Sequence, residues 1–371
     1  MNKLTRILNR LPPRATFQTI TFGCRVNAAE SNQFSQLLID NGLTGTPAGQ
    51  RASHLYIINT CAVTQKGEYE STAKIRHLAS NNPTSTILVT GCISKDKIPK
   101  LPNIFHIDNH QKETLLETLN SSYSPQITDK YTHHRRFLLK IQSGCTANCS
   151  YCLVPTRSSY LKSIAIDKAV NTVNKAIENG YQEVIITGVN LAQYTPSLSN
   201  LLQALLTQTK IPLISFGSLP LLCIDDKFLF LIKNFKLKIR NFLHIPLQSG
   251  SDRILKLMRR PYTRSQILTI FNRLKNINTP PFLKGGDGGG FKFGTDIIVG
   301  FPSETEVDFQ QTYNLCQSIG FIKIHVFRFS PRPETTAWDL NQKFPVKPSD
   351  VNRRSRLLRS LNLTSNHQSP T

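Results

Sequence analysis

Phe137-Leu-Leu-Lys-Ile-Gln-Ser-Gly-Cys145-Thr-Ala-Asn-Cys149-Ser-Tyr-Cys152 is the stretch from which the rest of the chain can be read. An apolar run suited to a buried strand, 137–141, leads within a few residues into three cysteines spaced C-x3-C-x2-C. Three thiolates this close can hold three corners of an iron–sulfur cubane. Such cubanes usually take four protein thiolates, so a loop offering three leaves one iron open to another ligand. Buried apolar cysteines, or a zinc site completed by a distant histidine, are the alternatives.

Downstream of this loop, apolar runs at 184–187, 211–216, 242–245, 296–299 and 322–327 alternate with helix-like stretches. With 137–141 they make six βα units, so the expectation is an α/β architecture in which 137–340 forms a partial, TIM-like barrel of six strands. Several helix starts have a mechanism. Asp167 is expected to cap a helix striped by Ala169, Val170, Val173, Ala176 and Ile177 and stopped at Gly180. Thr263 with Gln266, and Ser303 with Glu306, read as capping boxes. Between two of the units, Pro280 to Gly290 is Pro- and Gly-rich and reads as a flexible insertion; it lacks the Gly-Lys-Ser/Thr ending of a phosphate-binding loop.

Upstream, the region from Thr16 to about Asn120 repeats a βαβ rhythm. Its natural packing is a small, mostly parallel, Rossmann-like sheet, and 1–120 is taken as an N-terminal domain. A polar stretch at 121–136 reads as the linker, and 341–371 as a basic tail. Within the N-terminal domain, Phe22-Gly-Cys24, Asn59-Thr-Cys61 and Thr90-Gly-Cys92 each end a candidate strand. The ends of parallel strands emerge on one edge of a sheet, so three cysteines far apart in sequence converge in space. Core cysteines compete with this reading, and for Cys223 and Cys316, set among apolar neighbours, core packing is the expectation.

At 371 residues the chain is long enough for two domains. Lys plus Arg number 45 against 23 Asp plus Glu, and that excess favours a polyanionic partner such as nucleic acid or an anionic membrane face, with a merely soluble basic protein as the alternative. No apolar run reaches the ~20 residues that span a bilayer, and Met1 to Pro13 has no signal-peptide core. A cytoplasmic protein is expected, in which eight cysteines are not disulfides.

The Cys145–Cys152 loop resembles the cluster loop of radical S-adenosylmethionine (SAM) enzymes. Thr21-Phe-Gly-Cys-Arg-Val-Asn27, Asn59-Thr-Cys-Ala-Val-Thr64 and Thr90-Gly-Cys92 resemble the N-terminal motifs of the methylthiotransferases within them. Thr187-Gly-Val-Asn190, His244-Ile-Pro-Leu-Gln-Ser-Gly-Ser251, Thr295-Asp-Ile-Ile-Val-Gly-Phe-Pro-Ser-Glu-Thr305 and Phe329-Ser-Pro-Arg-Pro333 are similar to that family's barrel motifs. The N-terminal wording is most similar to the branch that acts on threonylcarbamoyladenosine of transfer RNA; the sister activities act on isopentenyladenosine or on an aspartate of a ribosomal protein. A non-catalytic RNA-binding remnant is a further alternative. The excess of positive charge favours RNA over a basic ribosomal protein, and the presence of all six candidate ligands speaks against a remnant.

The resemblance implies two 4Fe–4S clusters, one on Cys145, Cys149 and Cys152 and an auxiliary one on Cys24, Cys61 and Cys92. SAM would chelate the open iron of the first and be cleaved to a 5′-deoxyadenosyl radical; a sulfur on the second would be delivered to C2 of the adenine, with the methyl group taken from a second SAM. A tRNA substrate, a reducing electron donor and a sulfur donor are the implied partners. By position, Tyr151 is expected near the SAM adenine, Gly188 and Asn190 near its methionine end, and Gln248, Ser249 and Asp296 around the same mouth. Three departures stand out: a short, arginine-poor segment after Cys152, the Gly-rich insertion, and only 33 residues after Trp338 where the family usually carries a small RNA-binding β-barrel. In place of that domain, Arg353, Arg354, Arg356 and Arg359 around Leu357, Leu358 and Leu361 suggest a basic helix presenting arginines to phosphates; a closing helix with solvated arginines is the alternative.

Overall fold

The computed structural model describes residues 3–47, 52–120, 136–277 and 290–366. The expected linker and the Gly-rich insertion lie outside them, apart from Arg136 and Gly290. Five strands, β1 (Thr16–Thr21), β2 (Thr44–Gly45), β3 (Leu55–Thr60), β4 (Thr86–Gly91) and β5 (Ile104–His106), form an all-parallel sheet in the order β2-β1-β3-β4-β5. Around it run α1 (Lys3–Leu8), α2 (Arg25–Asp40), α3 (Gln65–Asn81) and α4 (Asn109–Asn120). Successive side chains of a strand point to opposite faces. Leu55 and Ile57 therefore pack with Phe34, Leu37 and Leu38 of α2, while Tyr56 and Ile58 pack with Ile75, Leu78 and Ala79 of α3. A central strand covered on both faces is buried along its whole length, and in β3 the apolar run Leu55–Ile58 ends in Asn59 and Thr60, whose Nδ2 and Oγ1 donate to the carbonyls of Asn27 and Thr90. The strand order reverses between β1 and β3, which opens a crevice at their carboxyl ends.

All six strands expected downstream are present: β6 (Arg136–Ser143), β8 (Glu183–Gly188), β9 (Leu213–Phe216), β10 (Phe242–His244), β11 (Lys292–Val299) and β12 (Lys323–Arg328), with a two-residue antiparallel edge, β7 (Lys162–Ser163), beside β6. They form two sheets, β7-β6-β8-β9 and β10-β11-β12, joined by a parallel bridge between Ile214 and Ile239. Helices α5 (Val154–Arg157), α6 (Ile166–Glu178), α7 (Leu198–Gln208), α8 (Asp226–Asn234), α9 (Asp252–Leu257), α10 (Arg264–Lys275), α11 (Glu306–Ile319), α12 (Thr336–Lys343) and α13 (Pro348–Asn366) follow or cover the strands. One core runs through the whole partial barrel, and Cys223 and Cys316 are buried in it as expected.

Three local expectations are corrected. The N-cap of α6 is Ala165, and Asp167 sits in the first turn, where its charge still favours the helix dipole. The capping box of α11 is Thr305 with Asp308 rather than Ser303 with Glu306, because Ser303 adopts a left-handed φ of 66° in the preceding turn. The box of Thr263 and Gln266 on α10 is formed as expected. The tail does fold into a helix, α13, with Leu358 fully buried, but it does not present its arginines to solvent as a set. Arg354 is buried in an ion pair with Glu304 at 2.9 Å, Arg353 pairs with Glu306, and Arg359 donates to the carbonyl of Val326. The closing-helix reading is the one the packing supports.

Four buried charges tie the N-terminal sheet to the barrel. Glu30 of α2 accepts from Lys112 of α4 at 2.7 Å and from Lys140 of β6 at 3.1 Å, and Lys140 also reaches Glu113 at 2.8 Å. Alternating signs let each charge replace its lost hydration with a partner.

Candidate active site

The barrel loop begins at Gly144, whose φ is +74° and where an added Cβ would fall 1.6 Å from the carbonyl oxygen of Tyr160. Only glycine fits this turn. The loop is then pinned from three sides. The amide of Cys145 donates to Ser158, Ser150 bonds to Met258 and Leu257, and the amide of Ala337 donates to Ser150. Each of the three thiols receives a hydrogen bond: Cys145 from the amide of Ala147 at 3.4 Å and from Asn190 Nδ2 at 3.6 Å, Cys149 from Arg260 Nη1 at 3.5 Å, and Cys152 from the amide of Val154 at 3.4 Å. Burial pushes the Cys152 thiol up to about 11. Donors already aimed at sulfurs whose burial disfavours an uncompensated thiolate fit a metal cluster, which deprotonates its ligands and accepts such bonds at its sulfurs.

The second trio lies at the crevice of the N-terminal sheet. Cys24 is the N-cap of α2, Cys61 follows β3 and Cys92 follows β4. Asn27 Nδ2 donates to the carbonyls of Phe22 and Thr60 at 2.8 and 2.9 Å and so ties the ends of β1 and β3 together. Ser71 exchanges hydrogen bonds with the backbone of Cys61. At Gly23, φ +91°, a Cβ would stand 2.7 Å from Cys61 Sγ, so the glycine keeps clear the space around the sulfur. Burial raises the thiols of Cys61 and Cys92, the latter to about 12, and both feel the Cys24 thiol. Three cysteines at the ends of neighbouring strands, beside a glycine-cleared space, again suit three corners of a cubane.

A cavity of about 200 Å³ opens between the trios. Ala62, Val63, Thr64 and Cys92 contribute one wall; Tyr151 to Val154, Arg157, Gln248, Asp296, Ile298 and Phe327 to Ser330 contribute the other. Tyr151, Gln248 and Asp296 all line this cavity. Gln248 reaches the cavity through a left-handed turn, φ 71°, beside β11. Gly188 ends β8 beside Gln142 and Asn190 follows it, both outside the cavity lining, and Asn190 reaches Cys145. Ser249 is corrected: it is fully buried, turned toward α11, and bonded to Thr312 Oγ1 and to the amide of Ser251.

Other residues at the site carried no periodic or spacing signal. Asp296 Oδ1 bonds His244 Nε2 at 2.9 Å and His325 Nδ1 at 3.1 Å, and only the folded barrel brings these three strands together. Arg260 packs against Tyr262 as well as Cys149. Arg332 Nη2 crosses to Glu68 of α3 at 2.7 Å, and Gln65 meets the Ser330 hydroxyl, which fixes the two walls relative to each other.

The radical SAM superfamily model matches residues 139–316, and the model of uncharacterized protein family UPF0004 matches residues 16–110. A threonylcarbamoyladenosine tRNA methylthiotransferase, MtaB, of Thermotoga maritima is 32% identical over 346 residues, spanning 87% of this chain and 76% of the relative. The MtaB of Bacillus subtilis is 30% identical, spanning 87% and 75%. A tRNA-2-methylthio-N(6)-dimethylallyladenosine synthase of Pelagibacter ubique is 29% identical, spanning 86% and 76%. Among solved structures, the radical SAM methyltransferase TsrM of Kitasatospora setae superposes with a TM-score of 0.63 at 10% identity, over 87% of this chain and 77% of that one, a likeness of fold.

Proposed function

This chain belongs to the radical SAM methylthiotransferases, in the MtaB-like branch, and on that footing we propose that it adds a methylthio group to C2 of N6-threonylcarbamoyladenosine beside the anticodon of tRNA. The observation that carries the reading is the cavity whose walls include Cys92 of one trio and Cys152 of the other. As a radical SAM enzyme the chain uses a 4Fe–4S cluster and SAM, and Cys145, Cys149 and Cys152 would hold that cluster. Cys24, Cys61 and Cys92 would hold a second. When bound, these groups would supply a hydrogen-abstracting radical on one side of the substrate and a sulfur on the other.

The chain's own residues hold and shield. Tyr151 and Gln248 would flank SAM, with Gly188 and Asn190 near the cysteine loop. Asp296 is kept in place by two imidazoles. Val63, Ile298, Phe327 and Phe329 make much of the lining apolar, which keeps water from a reactive centre. The net charge of +22 suits a polyanion and favours RNA over a basic ribosomal protein as the substrate. An electron donor and a sulfur donor complete the reaction, and tRNA maturation puts it in the cytoplasm. No helix among the described residues is long and apolar enough to cross a membrane.

The test separates the trios. Anaerobically reconstituted wild type should hold about eight irons, and either triple Cys→Ala variant about four. Changing Cys145, Cys149 and Cys152 should abolish SAM cleavage; changing Cys24, Cys61 and Cys92 should leave cleavage and remove methylthiolated product. Product from the second variant would refute the role given to that trio.

A further inference from the structure

Strands β10, β11 and β12 bring together a third set of metal-ligating side chains, and this one uses no cysteine. His244 pairs with Gly294, and Asp296 with His325, in the parallel register. Residues two apart on a strand share a face, so His244, Asp296 and His325 stand side by side on one face of three neighbouring strands. Gly294 makes their approach possible. A Cβ there would fall 2.8 Å from His244 Nδ1, so the ring lies against bare backbone and turns its other nitrogen to Asp296. His244 Nε2 stands 2.9 Å, and His325 Nδ1 3.1 Å, from the same carboxylate oxygen, Oδ1. Asp296 also lines the cavity. Among the described residues its side chain has no hydrogen bond or ion pair other than those to the two imidazoles.

We infer that His244, Asp296 and His325 form a mononuclear site for a divalent transition-metal ion of the zinc or ferrous iron class. Charge is the first argument. A carboxylate withdrawn from water is paired with a cation or coordinates a metal, and no lysine or arginine pairs with Asp296. An ordinary imidazole is largely neutral above pH 7, so hydrogen bonds from two of them hold the carboxylate without balancing it. A bound ion supplies the missing charge. The donor set is the second argument, because two imidazole nitrogens and one carboxylate oxygen are the ligands of three-residue zinc and non-haem iron sites. Distance is the third. Bonds of about 2.1 Å meeting at 90–109° set neighbouring ligand atoms about 3.0–3.4 Å apart. The 2.9 and 3.1 Å separations therefore need to open by only a few tenths of an ångström to admit the ion. Three protein ligands leave further positions for oxygen ligands, either water or a hydroxyl or carboxylate of a molecule in the cavity that Asp296 lines. The site shares no residue with either cysteine trio and does not depend on which nucleoside is modified.

The experiment uses the full chain reconstituted with iron and sulfide, so that both cysteine trios are occupied, and zinc chloride as the probe. After anaerobic equilibrium dialysis, elemental analysis should find about one zinc per wild-type chain beside its iron, and X-ray absorption at the zinc edge should show only nitrogen and oxygen neighbours at about 2.0–2.2 Å. Asp296→Asn and His325→Gln should each weaken zinc binding by ~100-fold or more, since losing a ligand costs more than the ~10- to 100-fold of an outer-shell change. Iron content equal to wild type shows that a variant has folded and loaded. If Asp296→Asn loses its iron, His325→Gln, at an exposed position, carries the comparison. No zinc on wild type, or zinc held equally well by a loaded His325→Gln, would overturn the assignment and leave a hydrogen-bonded trio. A sulfur shell at about 2.3 Å would overturn it too, by placing the ion on cysteine. None of these outcomes touches the proposed function, which is tested by iron count and product.

Discussion

Lys140→Met tests what joins the N-terminal sheet to the barrel, since it keeps most of the side-chain volume and removes the cation that bridges Glu30 and Glu113. Two routes give the magnitude. Breaking a buried ion pair while leaving its partner buried costs ~3–5 kcal/mol. Independently, Lys112 and Lys140 overcome the burial of Glu30 and hold its carboxyl at about 2 against an ordinary 4.5. That difference is worth ~3 kcal/mol of folding stability, shared between the two lysines. A loss of about 2–4 kcal/mol at neutral pH satisfies both. The pH dependence follows from the direction of the shift: a depressed carboxyl stabilises the fold fully above its unfolded pKa and loses that contribution as pH falls from about 4.5 toward 2. The gap between variant and wild type should therefore narrow below about pH 4.5. Urea denaturation read by the fluorescence of Trp338 gives both numbers, and the midpoint should move more than the slope. A second variant, Glu30→Gln with Lys140→Met, should be less destabilised than the sum of its parts. A loss under ~1 kcal/mol at pH 7, or a gap unchanged from pH 6 to pH 3, would refute the argument.

Other substitutions probe single features of the site. Gly144→Ala places a methyl on the carbonyl of Tyr160 and should cut the iron content of reconstituted protein by about half, leaving the other trio loaded; full iron content would count against the turn as the foundation of the loop. Arg260→Gln removes a cation hydrogen-bonded to Cys149, so the barrel cluster should become harder to reduce and its midpoint potential, followed by electron paramagnetic resonance, should move negative; no movement would mean the arginine is only packing. Arg354→Met leaves without its partner the buried Glu304, whose carboxyl burial already raises to about 7 so that it can neutralise, and should cost ~1–3 kcal/mol, whereas the exposed Arg356→Ala should stay within ~0.5 kcal/mol; equal effects in thermal melts would reopen the reading of α13 as an RNA-facing helix.

The sequence carried those parts of the site that depend on local spacing or on strand periodicity. Three thiols in eight residues can be seen without a structure. The equivalence of Cys24, Cys61 and Cys92 followed from each ending a strand of a parallel sheet. What it could not carry was direction. Gln248 and Ser249 are adjacent polar residues at one strand end, yet a left-handed turn at Gln248 sends one side chain to the cavity and the other into α11. Pairings across long separations were hidden for the same reason: Arg354 with Glu304, 50 residues apart, and Arg332 with Glu68 obey no period. The tail arginines looked like a solvated stripe because their acidic partners stand on elements that only packing brings near.

The same physics explains why two trios encoded in separate parts of the chain each lend a cysteine to one cavity. Each set of parallel strands gathers its loops at its carboxyl ends, so two such sheets docked with those ends together must bring their loops together. The docking contacts come from the residues that flank the cysteines. Arg25, next to Cys24, donates to the carbonyls of Phe216 and Gly217 at the end of β9. Gln65 and Glu68, just past Cys61, meet Ser330 and Arg332 after β12. Glu30 and Lys112, which lie close enough to Cys92 to act on its thiol, reach Lys140 of β6 directly or through the shared carboxylate. Every cysteine of the N-terminal trio is thus within a few residues, or one side chain, of a contact that holds it to the barrel. Loosening one of these contacts changes the spacing between the trios before it changes either trio, so such variants should lose sulfur transfer while SAM cleavage, which would need only residues of the barrel, persists.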